Sequence, residues 1–514
     1  MTTRRENRTL GNRAASATLW GGLNMALGRT VQFATTIIVA RMIAPEHFGA
    51  LAVAIVIQTI ATNMAELGAT AALARGNGDP DKIAPTVFSI ALVTSTAMTA
   101  GAIALAPAIA ALFDDPAATP VIQVLSTTIL LQGIAAVPST MVWREYLQKP
   151  RVVVDLASVV TILVLVVPMA LGGWGAMALA WSRVGGQVVA LIGYWIITPK
   201  RYAPGFNRSV ASDILKLGMP LAMANLVVFV TLNIDYLLIG RMLDPVALGL
   251  YLLAFNLAGL PSQVITAVIR SAAVPTFGRL HAEGTLGALA ARFVAGVSYC
   301  AFPVSAMVIA LAHPLIVTAY GQTWAPAGMA LATLGVFGAA RILVELFADL
   351  SVGAGRTVWL FWVQVAWLAT LTPALYFGIL WWGIAGAGVA HATVAILIVI
   401  PLYVKALTSV LQVTAWQLLR GSASSLLASG VAGTAAWAAT TTITHPVVAV
   451  AAGTLLGAAI YLLLTLKQGR RLFREISSLL RPEQTRQQGP TGVAEPEPAL
   501  AEASPAESGR VGKP

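Results

Sequence analysis

The sequence predicts an all-α integral membrane protein with about fourteen transmembrane helices. Of its 514 residues, 57% are hydrophobic and only 10% are charged, and the mean hydropathy is +0.79. Soluble domains carry about 25% charged residues. The apolar runs are unbroken over roughly 17–25 residues, the length of a membrane-spanning helix, and lack the alternating pattern of a membrane barrel. A repeated motif divides the helices into two pseudo-symmetric six-helix lobes plus two accessory helices.

Fourteen apolar stretches account for most of the chain. A lone strand cannot satisfy its backbone hydrogen bonds in lipid, so each stretch is predicted to be a helix. In order, helices 1 to 14 are predicted at residues 17–40, 47–72, 85–112, 120–142, 152–171, 174–198, 214–240, 246–273, 293–312, 325–352, 358–380, 383–404, 421–441 and 446–466. The longest connections, about 199–213 and 274–292, are too short for a soluble catalytic domain of ordinary size.

The phrase RMIAPEHFGAL at residues 41–51 returns as RMLDPVALGLY at residues 241–251. Later, Trp174-Gly175 returns as Trp382-Gly383 in the same order. Such echoes indicate a duplicated membrane unit, as in many transporters. We therefore predict an N-lobe at 17–198, a C-lobe at 214–404 and accessory helices at 421–466. The identical positions are Arg41/Arg241, Met42/Met242, Pro45/Pro245 and Gly49/Gly249.

The positive charges orient the predicted helices. Of the 32 Lys and Arg residues, 26 lie in even-numbered loops and the two tails, while only Arg41 and Arg241 lie in odd-numbered loops. The positive-inside rule then places both termini in the cytoplasm and both arginines at outward helix ends. There they could gate the pathway, join the lobes or anchor the helices at the interface. The net charge of +11 is thus a topology signal, and no nucleic-acid partner is expected.

The tails differ in composition from the bundle. Residues 1–16 are predicted to be a cytoplasmic tail, and no separate signal peptide is evident. Residues 467–514 are predicted to be a cytoplasmic, largely disordered tail, because past about residue 482 the chain is rich in Pro, Ala, Glu and Gly.

Several classes of function are disfavoured. The sequence contains no G-x-x-x-x-G-K-[ST] phosphate loop, and its single cysteine, Cys300, allows no intramolecular disulfide. Asp114-Asp115, the only paired carboxylate in the outward loops, is interpreted as a solvated turn. We expect no enzyme activity, no cofactor and no metal site. The five histidines lack metal-ligand spacing: His47, His281, His313, His391 and His445.

Two arginines are predicted to lie deep in the membrane. Charges at that depth are costly and usually face a partner or a watery cavity. Arg29 follows Asn24 in helix 1 and precedes Gln32, and Arg183 lies in helix 6. We predict that Arg29, Arg183 and Gln32 line a functional cavity, with a structural ion pair or hydrogen-bonded packing as the alternative.

Helices 2 and 8 each carry a polar stripe. Together the stripes suggest a central cavity between two halves, with helix–helix hydrogen bonding as the alternative. Arg270 is close enough to the cytoplasmic end for snorkelling to explain it equally well. Asn63, Gln263 and Arg270 are candidate substrate ligands. The stripes comprise Gln58, Thr59, Thr62, Asn63 and Glu66 in helix 2, and Asn256, Gln263 and Arg270 in helix 8.

Acidic residues within the helices are candidates for ion coupling. Glu66 and Asp235 are chosen because their charge can cycle with protonation. Arg341, Glu345 and Asp349 follow at four-residue spacing in helix 10, which favours an internal salt bridge.

The segment NIDYLLIGRMLDPVALGLYLLAFNLAGLPSQVITAVIRSAAVPTFGRL (233–280) resembles the second-half signature of Wzx-type polysaccharide flippases. These belong to the multidrug/oligosaccharidyl-lipid/polysaccharide exporter superfamily. The first-half version, ATTIIVARMIAPEHFGALAVA, is similar to the same pattern, and the resemblance covers residues 14–470. It implies two lobes with two accessory helices in the bacterial cytoplasmic membrane. It also implies movement of a polyprenyl-pyrophosphate-linked oligosaccharide to the outer leaflet for surface polysaccharide biosynthesis.

The expected mechanism is alternating access around a cationic cavity. Arginines bind pyrophosphate oxygens through a planar fork, so Arg29 and Arg183 are the chosen headgroup ligands, with Asn63 and Gln263 along the sugar path. The expected partners are this lipid-linked substrate and membrane lipids, with a polysaccharide polymerase and glycosyltransferases as further candidates. The alternatives are a peptidoglycan-precursor flippase, a multidrug or cation antiporter of the same superfamily, and a membrane polymerase or ligase.

Overall fold

The protein, seen in a computed structural model, is described over residues 27–66, 69–74, 79–280, 286–353 and 357–480. Over these ranges all regular secondary structure is helical. Short helices also occur at Ala69–Ala74 and Ala312–Tyr320, followed by a 3₁₀ turn at Gln322–Trp324. The first ten long helices are α1 (Leu27–Ala40), α2 (Pro45–Glu66), α3 (Pro80–Leu112), α4 (Ala118–Arg144), α5 (Gln148–Leu171), α6 (Ala176–Ile197), α7 (Arg208–Met242), α8 (Pro245–Leu280), α9 (Leu286–Ala310) and α10 (Ala327–Gly353).

Four further helices complete the bundle. The helical stretch Thr357–Val394 is broken at Trp382 and Gly383, which leave the helical conformation and separate α11 (357–381) from α12 (384–411). Helix α12 passes through a π-helical turn at Ala395–Val399. The last two helices are α13 (Ala415–Thr442) and α14 (Pro446–Leu480).

The fourteen predicted transmembrane helices all have a counterpart among these elements. Within the described residues, eleven apolar stretches are long enough to cross a membrane, and one of them, Val358–Leu411, contains both α11 and α12. Helix α1 is a shorter apolar helix, and α13 is not among these stretches. Within the described residues, four boundaries differ by seven residues or more. Helix α8 continues to Leu280, α9 begins at Leu286, α12 continues to Leu411 and α14 continues to Leu480. The predicted connection at 274–292 is therefore largely helical, and the predicted C-terminal tail begins as helix. Residues 1–16 and 481–514 lie outside the described residues.

The second repeated dipeptide has the same backbone geometry in both copies. Gly175 has φ and ψ of 52° and −127°, and Gly383 has 57° and −138°. A residue with a Cβ atom rarely adopts these angles. The Trp-Gly pairs thus mark equivalent breaks, one before α6 and one before α12, which is direct structural support for the duplication.

Within each half the helices pack mainly against one another. In the first half α3 packs against α4, α5 against α6, and α4 against both α2 and α6. In the second half α10 packs against α8, α9 and the α11–α12 pair, and α13 lies along α9. The most extensive contact between the halves joins α2 to α8.

The chain through Thr465 forms one compact unit, and the residues from Leu466 onward form a second. Helix α14 is fastened within the first unit by a hydrogen bond from the Tyr461 hydroxyl to the Tyr299 carbonyl.

Candidate transport pathway and substrate site

The two copies of the repeated phrase meet at one end of the bundle, where α2 and α8 begin. A Cβ atom at Gly49 would overlap the carbonyl oxygen of Pro245, and a Cβ atom at Gly249 would overlap that of Pro45. The two helices therefore cross with their backbones in contact and with a reciprocal, two-fold-like relationship. Both copies lie at the same end, as a parallel repeat requires. We call this the closed end.

Arg41 joins the two halves at the closed end. Its Nη2 donates to the carbonyl of Thr318 at 2.5 Å and its Nε to that of Ala319 at 3.0 Å. Both acceptors lie near the C-terminus of the short helix Ala312–Tyr320, where unpaired carbonyls and the helix dipole favour a cation. Trp324 adds a second link, because its Nε1 donates to the Ala40 carbonyl at 2.7 Å.

Arg241, in the second half, makes the corresponding contact with the first half. Its Nη1 lies 2.7 Å from Oδ2 of Asp114, in the connection between α3 and α4. The interpretation of Asp114-Asp115 as a solvated turn holds for Asp114, whose side chain stays largely exposed while it forms this ion pair between the halves. It was wrong for Asp115. Asp115 is buried and accepts from the Ala117 N–H, and burial raises the pKa of its carboxyl. The partner of Asp114 lies 127 residues away, a distance at which no local pattern could have identified it.

Beyond the closed end, several polar side chains of α2 and α8 are accessible. Phe48, Leu51 and Leu248 are at most 3% exposed near the crossing. Farther along, Asn63 and Gln263 are partly exposed and Asn256 is exposed. The polar stripes thus lie past the crossing.

A cavity of about 230 Å³ lies within the first half. Arg183 of α6 and Gln32 of α1 line it together with Thr35, Thr36 and Ser182. The remaining lining residues are apolar: Val39, Phe48, Leu51, Val159, Ile162, Val166 and Leu179. The structure thus brings together two of the predicted cavity residues, Arg183 and Gln32, in a pocket that is apolar except for one guanidinium and a few neutral polar groups.

Arg183 is partly exposed, and within the described part of the chain no hydrogen bond or ion pair involves it. A guanidinium in such a pocket is a strong anion site because its five N–H donors have no acceptor. Arg29 differs from it. It is exposed on α1, one turn before Gln32, and does not line the cavity.

The remaining candidates of the polar stripes have mixed environments. Gln58 donates to the Thr128 hydroxyl of α4 at 2.7 Å, and Asn63 donates to the Thr59 carbonyl of its own helix. Hydrogen bonding between helices, the alternative interpretation, therefore applies to Gln58. Gln263 has a buried Oε1 without a partner among the described residues. The side chains of Glu66 and Arg270 lie outside the described part of the structure.

Asp235 lies in a buried cluster in the second half. Its side chain is fully buried on α7, where Oδ2 accepts from the Tyr251 hydroxyl at 2.6 Å and lies 3.2 Å from His391 Nε2. The sequence identified Asp235 but missed Tyr251 and His391, which lie on α8 and α12. Only the packing of three helices brings them together, so the spacing of the histidines carried no signal.

Two further expectations concern charged residues. The predicted salt bridge in helix 10 is present, with Arg341 Nε 2.9 Å from Glu345 Oε1 on α10. Among the described residues, no group of three or more His, Cys, Asp and Glu side chains could hold a metal ion.

Sequence comparison matches residues 38–328 to the family described as "Polysaccharide biosynthesis protein". The chain is also 26% identical over 364 residues to the succinoglycan biosynthesis transport protein ExoT of Rhizobium meliloti (strain 1021), covering 70% of this chain and 73% of that protein. A shorter match of 168 residues, also 26% identical, is to the teichuronic acid biosynthesis protein TuaB of Bacillus subtilis (strain 168), covering 32% of this chain and 34% of that protein.

Two solved structures share the fold. The lipid II flippase MurJ in an inward closed conformation superposes with a TM-score of 0.69 at 15% identity, over 89% of this chain and all of that one. An inward-facing multidrug resistance transporter of the MATE family, in the MOP superfamily, gives a TM-score of 0.59 at 17% identity over 75% of this chain and 95% of that one. At these identities the similarity establishes the fold: two transporter-type halves in a helical membrane bundle.

Proposed function

The chain belongs to the polysaccharide biosynthesis protein family, and from this we propose that it is a flippase for lipid-linked oligosaccharides. The substrate would be an oligosaccharide on polyprenyl pyrophosphate, moved across the bacterial cytoplasmic membrane for surface polysaccharide assembly. ExoT is named as a succinoglycan biosynthesis transport protein, which supports a saccharide as the transported group. In this proposal the protein is a transporter and not an enzyme.

The observation that carries the proposal is the unpaired guanidinium of Arg183 in the cavity of the first half. A pyrophosphate presents several anionic oxygens, and an arginine can bind two of them with parallel hydrogen bonds. Gln32, which lines the same cavity, supplies amide groups that suit sugar hydroxyls or phosphate oxygens. Arg29 is exposed and lies one turn from Gln32. We therefore propose that Arg29 attracts the pyrophosphate headgroup before the headgroup enters the cavity.

The proposed transport cycle is alternating access. In the present conformation α2 and α8 close one end, and the polar residues of both helices lie beyond the crossing. With both termini in the cytoplasm, the closed end would face outward and the headgroup would enter from the inner leaflet. The lipid tail would remain in the bilayer while Asn63 and Gln263 line the sugar path. Opening the closed end would require the contacts of Arg41, Arg241 and Trp324 to break.

The main experiment is complementation of a strain that lacks its polysaccharide flippase. Arg183→Ala and Arg183→Lys should both reduce surface polysaccharide at least tenfold at matched protein level, because lysine keeps the charge but loses the planar fork. Arg420→Ala, at an exposed arginine of α13, is the matched control and should export normally. Full export by the double variant Arg29→Ala/Arg183→Ala would exclude the cationic cavity as the substrate site.

The same assay separates the alternative substrates. Rescue of a strain depleted of its peptidoglycan-precursor flippase, without rescue of polysaccharide export, would assign the chain to that substrate instead. Dye efflux from intact cells would indicate a multidrug antiporter. New covalent bonds in saccharide incubated with the purified protein would indicate a polymerase or ligase.

The proposed topology has an independent test in cells that express a Cys300→Ala background. Cysteines placed at Thr2 and at Ser504 should be shielded from an impermeant thiol reagent. Labelling of either position from outside would show that the orientation is the reverse of the proposed one and that the closed end faces the cytoplasm.

A further inference from the structure

The buried cluster of Asp235, Tyr251 and His391 lies in the second half, and none of its three residues lines the cavity of the first half. We propose that it is a proton-binding site that couples proton movement to the transport cycle. This inference rests on the proposed flippase function and names its coupling ion. The site lies on three helices, α7, α8 and α12, so a change in their packing would alter the affinity of the cluster for a proton.

The first argument is the charge balance of the cluster. Asp235 is fully buried, and its carboxylate is surrounded by the Tyr251 hydroxyl at 2.6 Å, the Tyr236 N–H at 3.0 Å and His391 Nε2 at 3.2 Å. An isolated buried carboxylate is costly, and so is an isolated imidazolium. One proton shared between Asp235 and His391 makes the pair neutral overall, whether it is bound to carboxyl oxygen or to imidazole nitrogen.

The second argument concerns the charges nearby. Tyr251 on α8 binds the carboxylate through its hydroxyl, and the ring of Tyr236 on α7 packs edge-on against the ring of Tyr251. Both are neutral titratable groups. The adjacent helix α10 contributes Arg341, whose guanidinium is already paired with Glu345 on the same helix. Because that pair is neutral as a whole, the protonation of Asp235 and His391 alone sets the net charge of the cluster. Helix α11 adds Trp367, which does not titrate.

The third argument is that the cluster suits a proton better than a metal ion. Hard cations prefer six or more oxygen ligands at short distance. Here one carboxylate is present, and two of its neighbours are a hydroxyl and a ring nitrogen placed to share protons with it. A metal ion would have to displace both. No group of three acidic, His or Cys ligands occurs anywhere in the described part of the chain.

The fourth argument is a route by which water could reach the site. Phe337 and Phe255 lie 4.6 Å and 6.2 Å from the His391 ring. The same two phenyl groups line a cavity of about 10 Å³ between α8 and α10, which is about the space of one water molecule. Both phenyl rings therefore lie beside the imidazole and beside the cavity. The buried Nδ1 of His391 has no hydrogen-bond partner among the described residues, so a water arriving there would satisfy it.

The proposed step moves one proton and breaks no other bond. When a rearrangement of α8 against α10 admits water, the cluster takes up one proton from the bulk solution, relayed by that water, and changes from a net charge of −1 to neutral. In the occluded state the proton stays between Asp235 Oδ2 and His391 Nε2. When the cluster next meets water on the opposite side, the proton leaves, and the carboxylate keeps its hydrogen bonds from Tyr251 and the Tyr236 N–H.

The direct test uses full-length protein in lipid nanodiscs with ¹⁵N-labelled histidine rings, in which His391→Gln identifies the His391 signal. We expect that signal to titrate, and its midpoint to move by about one pH unit or more in Asp235→Asn, a tenfold change in proton affinity. Replacing KCl with NaCl should leave the midpoint unchanged. A midpoint that is the same in Asp235→Asn, or one that moves with sodium, would overturn the proposal.

Two controls separate this proposal from the flippase assignment. Arg183→Ala should leave the His391 titration unchanged even though it abolishes export, because its cavity lies in the other half. In the complementation assay, Asp235→Asn and His391→Gln should lower export at least tenfold, and Tyr251→Phe should displace the pH profile of export. If no variant exports any saccharide, the nanodisc titration still decides whether the proton site exists.

Discussion

Gly49 of α2 lies against the backbone carbonyl of Pro245 at the start of α8, and Gly249 stands in the same relationship to Pro45. The two copies of the repeated motif thus contact each other in the structure. The prolines begin the two helices, and the glycines, one turn later, let the helix backbones touch. Since no side chain separates them, this crossing is a well-defined place for the two halves to hinge or part.

The first prediction concerns this crossing. Gly49→Ala or Gly249→Ala should destabilise the protein by about 1–3 kcal/mol and reduce export, because a methyl group forces the two backbones apart. Gly101→Ala is the matched control. A Cβ atom there meets nothing within 4 Å, and alanine favours a helix over glycine by up to about 1 kcal/mol. Thermal unfolding of the purified variants measures the difference. Equal stability of Gly49→Ala and Gly101→Ala would contradict the close contact.

The second prediction concerns Trp324, which is 1% exposed and binds the opposite half in two ways. Its Nε1 donates to the Ala40 carbonyl, and its ring lies edge-on to Phe48 with centroids 5.1 Å apart. Trp324→Phe keeps the ring contact but leaves the carbonyl without its donor, which should cost about 1–3 kcal/mol. Trp416→Phe, at a tryptophan that is 70% exposed, should have no measurable effect on the melting temperature. If Trp324→Phe changed the melting temperature as little as Trp416→Phe, the hydrogen bond from Trp324 to Ala40 would not contribute to holding the halves together.

Much of the fold could be predicted from the sequence, because lipid imposes strong constraints on length and polarity. Unbroken apolar runs gave the number and order of the helices, and the repeat correctly indicated two related halves. Helix ends such as Leu280 and Leu480 could not be predicted, because α8 and α14 continue as helix beyond their apolar runs. Hydropathy detects the part of a helix that suits lipid and not the part that extends past it.

The candidate site was less predictable, since it depends on contacts between distant residues. Arg183 and Gln32 were identified because charge and polarity inside an apolar run are rare and therefore informative. The ion pair of Asp114 and the contact of His391 with Asp235 could not be predicted, because their surroundings in the chain are ordinary. Their importance comes from Arg241 and Asp235, which the fold places beside them.

The third prediction compares two adjacent carboxylates. Burial raises the pKa of Asp115, so its carboxyl group binds a proton more tightly in the folded state than in the unfolded state. Stability is therefore lost as the pH rises through the ordinary aspartate pKa of about 3.9 towards the raised folded-state value. Asp115→Asn, which carries no charge, should be at least as stable as the wild type at neutral pH. This advantage should vanish below about pH 4.

Asp114→Asn is the control for that comparison. Its ion pair with Arg241 is 80% exposed on the Asp114 side and 56% on the Arg241 side, so its loss should change stability by less than about 1 kcal/mol. Melting temperatures of the three proteins, measured between about pH 4 and pH 8, test both expectations. A marked loss of stability in Asp115→Asn at neutral pH would show that its carboxylate is favoured in the folded state.

The fourth prediction separates a structural glutamine from a substrate-binding one. Gln58 bonds to Thr128 inside the first half, and hydrogen bonds between membrane helices contribute about 0.6 kcal/mol on average and at most about 1.7. Gln58→Leu should therefore lower stability by such an amount, and a double-mutant cycle with Thr128→Val should account for most of it.

Gln263 should behave in the opposite way, because its Oε1 has no partner in the described part of the chain and is left for a sugar hydroxyl. Gln263→Leu removes a buried polar atom that costs the empty protein stability, so its melting temperature should stay the same or rise. Surface polysaccharide should nevertheless fall several-fold, since a transiting sugar loses a hydrogen-bonding group. Both quantities can be measured on one set of membranes at matched protein level. If Gln263→Leu exported normally and Gln58→Leu exported less, the sugar path would have to be assigned to the interior of the first half and not to α8.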